Sequence, residues 1–149
     1  MSSERFWMKS WDEGLSDLDP REWETTYTDV IRSAFEMFPE TTAFSFMGVD
    51  VTFRELDLYS NRFADLLIRH GFRKGDVVGI NLPNIPEYVI AWLGTLKAGC
   101  VVSGVSPLLP ANEMEYQLVD SNARGLVTLD AIFAARLAGI AGNLPGLKL

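Results

Sequence analysis

The sequence predicts an α/β fold, an open, largely parallel sheet with helices on both faces, and three observations carry it. Short apolar runs of strand type, "VVGINL", "CVVSGV" and "GLVTL", recur along the second half of the chain. Segments of helical period separate them, and strands buried on both faces that alternate with helices imply right-handed crossovers and parallel pairing. Glycine or proline punctuates the junctions, as at Gly71, Gly99 and Pro110.

Composition agrees with one globular domain. The chain has 149 residues, 48% hydrophobic and 22% charged, enough to bury a real core. Thirteen Lys and Arg against twenty Asp and Glu leave a net charge of −7, with the basic residues scattered, so neither nucleic acid nor an anionic membrane is an expected partner. The single cysteine, Cys100, supports no disulfide framework and no metal-ligand spacing, which fits a reducing, cytoplasmic location. The N-terminus has no signal-peptide core and no run of eighteen apolar residues occurs, so the expectation is a soluble protein without a transmembrane segment.

Taken in order, residues 1–22 read as an arm. Phe6, Trp7, Met8 and Trp11 mix there with charges and turn formers and keep no period. Full burial of each is worth roughly 1.5–3 kcal/mol, so the arm is expected to dock on this domain or on a partner. Residues 23–149 form the body. From Thr26, Tyr27, Val30, Ile31, Ala34, Phe35 and Phe38 follow helical spacing, Thr26 with Asp29 gives a start signal, and Pro39 stops the helix. "TAFSFMGVDVTF" reads as a hairpin turning around Gly48, Val49 and Asp50. Thr52 and Glu55 then form a capping box ahead of Phe53, Leu56, Tyr59, Phe63, Leu66 and Leu67, a helix that runs to His70 and ends at Gly71.

"VVGINL" opens the strand–helix alternation. Asn84 with Glu87 is expected to start a helix carrying Ile85, Val89, Trp92, Leu93 and Leu96. "CVVSGV" follows as a buried strand, Pro110 begins a helix with Met114 and Leu118 inward, "GLVTL" is the next strand, and Asp130 caps a last short helix through Leu137.

The least charged long stretch, "LGTLKAGCVVSGVSPLL", carries only Lys97. Its plain reading is a helix ending at a C-cap glycine, Gly99, and feeding a buried strand. A second reading places a ligand over Ser103, Gly104 and Ser106, because open α/β sheets bind ligands at the carboxyl ends of their strands.

Catalytic equipment is not visible. After "VVGINL" the turn is "PNIP", whose prolines cannot offer the run of backbone N–H groups that cradles a pyrophosphate, and "RKGD" precedes a strand where a phosphate loop would open a helix. His70 ends a helix and reads as a C-terminal partner of the last carbonyls. Cys100 reads as a buried small hydrophobe. The acidic groups in "DEGLSDLD" and "EMEYQLVD" read as solvated faces or turn formers, and Trp7, Trp11, Trp23 and Trp92 as packing residues, since no basic residues interleave with them.

The ordered segments "VTFREL", "LPNIPEYVIAWLG" and "LKAGCVVSGVSP" resemble the N-terminal part of adenylate-forming enzymes, the AMP-binding superfamily of acyl-CoA synthetases, aryl-CoA ligases, luciferases and peptide-synthetase adenylation domains. "VTFREL" matches the first core motif and "LKAG" with its strand and proline the second; the likeness covers about residues 23 to 149. The opening "FWMKSWDEGL" is similar to the lead-in of long-chain fatty acyl-CoA ligases. The resemblance implies that ATP and a fatty acid give an acyl-adenylate and pyrophosphate, after which the CoA thiol displaces AMP. It implies ATP, magnesium and CoA for a full-length enzyme and no cofactor bound tightly by this chain. The family's phosphate loop, adenine segment, magnesium-binding Glu, ribose-binding Asp and C-terminal Lys are absent, so no catalytic, cofactor-binding or metal residue carries over. The expectation is a truncated first subdomain, inactive alone, with the rest of the enzyme as partner and apolar surface that favours self-association. The alternative is a stand-alone α/β small-molecule binding or regulatory module derived from the same fold.

Overall fold

The computed structural model describes residues 6–15, 21, 24–144 and 146–147. Trp23 and arm residues 1–5, 16–20 and 22 lie outside the described residues. Within the arm, Phe6–Ser10 forms a short 3₁₀ turn, and Trp7 is 50% exposed.

Local sequence fixes the first helices. Helix α1, Tyr27–Met37, starts where the Thr26 hydroxyl accepts the Asp29 amide, and it stops ahead of Pro39. Strands β1, Thr42–Phe46, and β2, Val49–Thr52, pair antiparallel. Their turn is Met47–Gly48, both at positive φ (49° and 82°), so Val49 and Asp50 lie in the strand and not in the loop expected for them. A two-residue turn with both residues left-handed matches the twist of a hairpin.

Helix α2, Phe53–Arg69, carries the capping box in full: Glu55 accepts the Thr52 amide at 2.9 Å and Thr52 accepts the Glu55 amide at 3.2 Å. Its end is a Schellman turn, with the Gly71 amide donating to Ile68 and the Phe72 amide to Leu67, and Gly71 at φ 79°. The buried stripe is Leu56, Ser60, Ala64 and Leu67. Tyr59 and Leu66, expected inward, flank it because helix α3, Pro86–Lys97, approaches closely. A Cβ at Gly94 of α3 would lie 2.6 Å from the Ser60 carbonyl oxygen, so small residues line this contact.

Helix α3 is capped at Ile85 without a side-chain bond, and Pro86 sits in its first turn; Asn84 is not the cap. It buries Ala91, Leu93, Gly94 and Thr95, while Trp92 meets Tyr27 of α1 edge-to-face at 4.6 Å. Neighbours on several sides explain its nearly uniform apolarity.

Strand β3, Val77–Asn81, lies between β4, Val101–Gly104, and β5, Ala123–Thr128, and both pairings are parallel. Strand β4 is therefore an edge, with Val101 49% exposed, and not the fully buried strand that its apolar run suggests. Helix α4, Ala111–Asp120, buries Met114 and Leu118 as expected. The path from β3 to β4 and the path from β4 to β5 run in opposite directions across the sheet, so right-handed crossovers put α3 and α4 on opposite faces. Packing agrees: Val78 and Ile80 face the α2 and α3 side, whereas Val77 packs with Met114 and Leu118. After β5, Asp130–Ile132 makes one helical turn that continues as a wide turn over Phe133–Leu137. Leu129 is its cap, because Asp130 lies inside the first turn and makes no capping bond. No helix among the described residues is long and apolar enough to cross a membrane.

Candidate functional site

Connections leave neighbouring strands β3 and β4 toward opposite faces, which makes their carboxyl ends the switch point of the sheet. Ser103, Gly104 and Ser106 lie at that end, and each has an internal partner. Gln117 Nε2 of α4 donates to the Gly104 carbonyl at 2.8 Å and to Ser103 Oγ at 3.4 Å. Ser106 Oγ accepts the Leu108 amide at 3.3 Å. A Cβ at Gly104 would sit 3.5 Å from the Tyr88 hydroxyl.

Beneath them lies Asn81, fully buried at the end of β3. Its Nδ2 donates to the Val105 carbonyl at 3.1 Å, and its Oδ1 accepts the Thr128 hydroxyl at 2.9 Å. One amide thus joins the ends of all three parallel strands, and a satisfied buried polar network specifies a unique arrangement. Arg136 approaches from outside, with Nη1 donating to the Pro107 carbonyl at 3.0 Å and the Leu109 carbonyl at 2.8 Å.

A second polar knot joins the helices. Lys97 Nζ donates to Asp57 Oδ1 at 2.6 Å, Ser60 Oγ at 2.8 Å and Asn61 Oδ1 at 2.8 Å, and lies 4.7 Å from the Phe35 ring centre. Ser60 in turn donates to the Leu56 carbonyl at 2.6 Å. Only 15% of the Lys97 side chain is exposed, so the lone charge of the apolar stretch binds α3 to α2 and α1 and has no spare donor aimed at a ligand. A neighbouring cavity of about 540 Å³ is lined by Arg32, Glu36, Asn61 and Lys97.

Further cavities lie along the sheet. One of about 610 Å³ lies at the amino ends of the strands beside Asp76, Asn122 and Arg124. Another, about 380 Å³, follows β5 and is walled by Phe63, Leu66, Val127 and Phe133.

The remaining candidates keep structural roles. His70 is the exposed C-cap of α2. Cys100 is buried, and burial first, then the Asp76 carboxylate, pushes its thiol up while Arg124 opposes them, the reverse of an activated thiolate. Arg124 is hydrogen-bonded to Asp76, which holds its guanidinium charged. Among the described residues no three His, Cys, Asp or Glu side chains converge as a metal cage.

Sequence reasoning missed Asn81, Arg136 and the partners of Lys97. The only local signal was a single lysine inside an apolar run; Asp57 lies 40 residues away in the chain.

Comparison with known proteins gives a consistent answer. The family described as AMP-binding enzyme matches residues 31–148. A long-chain-fatty-acid–CoA ligase of Bacillus subtilis is 33% identical over 133 residues, covering 89% of this chain and 24% of that protein. Among solved structures, the anthranilate CoA ligase AuaEII in complex with anthranoyl-AMP superposes with a TM-score of 0.76 at 30% identity, over 80% of this chain and 23% of that one. The N-terminal subdomain of NpsA from Klebsiella oxytoca superposes with a TM-score of 0.66 at 29% identity, over 70% of this chain and 27% of that one. The chain spans about a quarter of the length of the curated relatives it matches.

Proposed function

The chain belongs to the AMP-binding enzyme family, and on that premise we propose that it is the N-terminal subdomain of an ATP-dependent fatty acid CoA ligase. Residues 1–22 are its arm and residues 23–149 the subdomain. In the proposed reaction a fatty carboxylate attacks ATP to give acyl-adenylate and pyrophosphate, and the CoA thiol then displaces AMP. The 133-residue match to the Bacillus subtilis ligase carries this reading. ATP, magnesium and CoA belong to the whole ligase, which acts in the cytoplasm. The residues here do not fit a pyrophosphate or magnesium site: Pro83 and Pro86 occupy the turn after β3, and no three His, Cys, Asp or Glu side chains converge among the described residues. What this chain supplies is a sheet with both faces covered and its helices knotted through Lys97.

The acid is tested with the full-length protein by CoA-dependent AMP release across fatty and aromatic acids. Higher kcat/KM for a fatty acid than for benzoate or anthranilate is expected; preference for an aromatic acid would replace the fatty-acid assignment with an aryl one. The alternative, a stand-alone binding module, is favoured by the completeness of the two-faced core, and it requires saturable binding of a small ligand by the 149-residue chain. A flat calorimetric titration with ATP, CoA and fatty acids would remove it.

A further inference from the structure

The cavity of about 610 Å³ at the amino ends of the parallel strands is set apart by what its cation has left to give. Arg124 Nη1 donates to Asp76 Oδ2, and the same oxygen accepts the Arg73 amide at 2.7 Å. The Phe72 ring lies 5.5 Å from the guanidinium carbon, so the ion pair and the ring together fix the fork. A guanidinium carries five N–H donors, and here Nε and Nη2 have no hydrogen-bond partner among the described residues. No buried side-chain nitrogen or oxygen among those residues lacks a partner, so the remaining donors are open to solvent. Asn122 lines the same cavity, held at φ 52°, and its carboxamide bonds no described residue. Val77, Leu118 and Leu144 add apolar wall. A sizeable cavity with apolar walls and a few convergent polar groups is the form that small-molecule sites take.

The cavity beside Lys97 has no such reserve, because Lys97 spends its donors on Asp57, Ser60 and Asn61, and two carboxylates, Glu36 and Asp57, line it. The cavities along β5 and beside β1 have no Lys or Arg in their walls. We propose that the cavity at the amino ends binds a small apolar monocarboxylate, with the acid on the Nε and Nη2 edge of Arg124 and the Asn122 amide, and the apolar body against Val77, Leu118 and Leu144. A carboxylate suits that edge because a planar fork meets it in two parallel bonds. Asp76 does not bar it, since the guanidinium that Asp76 binds offsets its charge. Ser103, Gly104 and Ser106 lie at the other end of the strands, so this site is separate from theirs.

The test is an NMR titration of the isotope-labelled 149-residue chain with sodium hexanoate, with hexanamide and with sodium chloride at matched ionic strength. Saturable shifts are expected at Gly75, Asn122 and the Arg124 Nε–H, with a Kd for hexanoate of roughly millimolar order. Hexanamide should bind about tenfold more weakly, because it lacks the charge assistance. Arg124→Gln should weaken hexanoate by about tenfold or more, and Asn122→Gly, which keeps the left-handed turn, by about threefold. Equal affinity for acid and amide would overturn the proposal, as would shifts that do not saturate or that map elsewhere. If Arg124→Gln fails to fold for want of the Asp76 partner, an unchanged affinity in Asn122→Gly overturns it alone. The inference does not rest on the ligase reading, which is decided separately by exchange in the full-length protein.

Discussion

The Lys97 ammonium lies 2.6 Å from the Asp57 carboxylate, and this contact crosses from α3 to α2 at a place where the lysine is almost covered. Ser60 and Asn61 accept its other protons, so the lysine satisfies polar groups that would otherwise face an apolar helix contact. Lys97→Met keeps the stem and removes the donors. Loss of about 1–3 kcal/mol is expected in urea unfolding, with Asp57→Asn less than additive to it in a double-mutant cycle. Full additivity would show that the two residues do not interact.

Gly94→Ala tests the close approach of the same helices. Alanine is the better helix former by roughly 1 kcal/mol, yet its Cβ would meet the Ser60 carbonyl at 2.6 Å and the Phe63 Cβ at 2.9 Å. Overpacking of this kind costs typically about 1–3 kcal/mol, so a net loss of stability is expected. A stabilised variant would mean that the helices are further apart than described.

Helix termination gives a smaller effect. Gly71 and Gly99 hold φ of 79° and 73°; a Cβ at Gly71 would meet nothing within 4 Å and one at Gly99 would touch Lys74 at an ordinary 3.5 Å, so the cost of Ala at either is conformational and not steric. About 1 kcal/mol is expected at each position from denaturant midpoints. No change would contradict the left-handed turns.

Acid stability carries a signature of the capping box. The Thr52 amide first, then its hydroxyl, holds the Glu55 carboxyl below its ordinary value of 4.5. A depressed carboxyl contributes stability above its unfolded value and loses it as pH falls through the folded one. Asp29 at the start of α1 is lowered in the same direction by Thr26. Stability should therefore fall below about pH 4.5, and Glu55→Gln should flatten that fall while keeping the cap. An unaltered acid limb would show that Glu55 does not titrate with folding.

What was legible in the sequence was local. The Thr52–Glu55 box, the stop at Gly71 and the end of a helix at Gly99 each need only a few consecutive residues, and the structure contains all three. Nonlocal features were not legible. Tyr59 and Leu66 are larger than Ser60 and Ala64, yet the smaller pair is buried because α3 comes so close. Strand β4 has a buried strand's composition but sits at an edge, since strand order depends on crossover direction and not on hydropathy. Asn84 and Asp130 have capping chemistry at positions one residue away from the caps that form. At the strand ends, Ser103, Gly104 and Ser106 were visible as small polar groups, but Asn81 holds the neighbouring Val105 from 24 residues away and Arg136 holds Leu109 and Pro107 from 27 and 29.

The most direct measurement is fatty-acid-dependent ATP–pyrophosphate exchange, run side by side on the purified 149-residue chain and on the full-length protein. The account predicts exchange by the full-length protein and none by the chain, since the proposal assigns the chemistry to residues outside this chain. Exchange by the 149-residue chain, or its absence from the full-length protein with every acid tried, would contradict it.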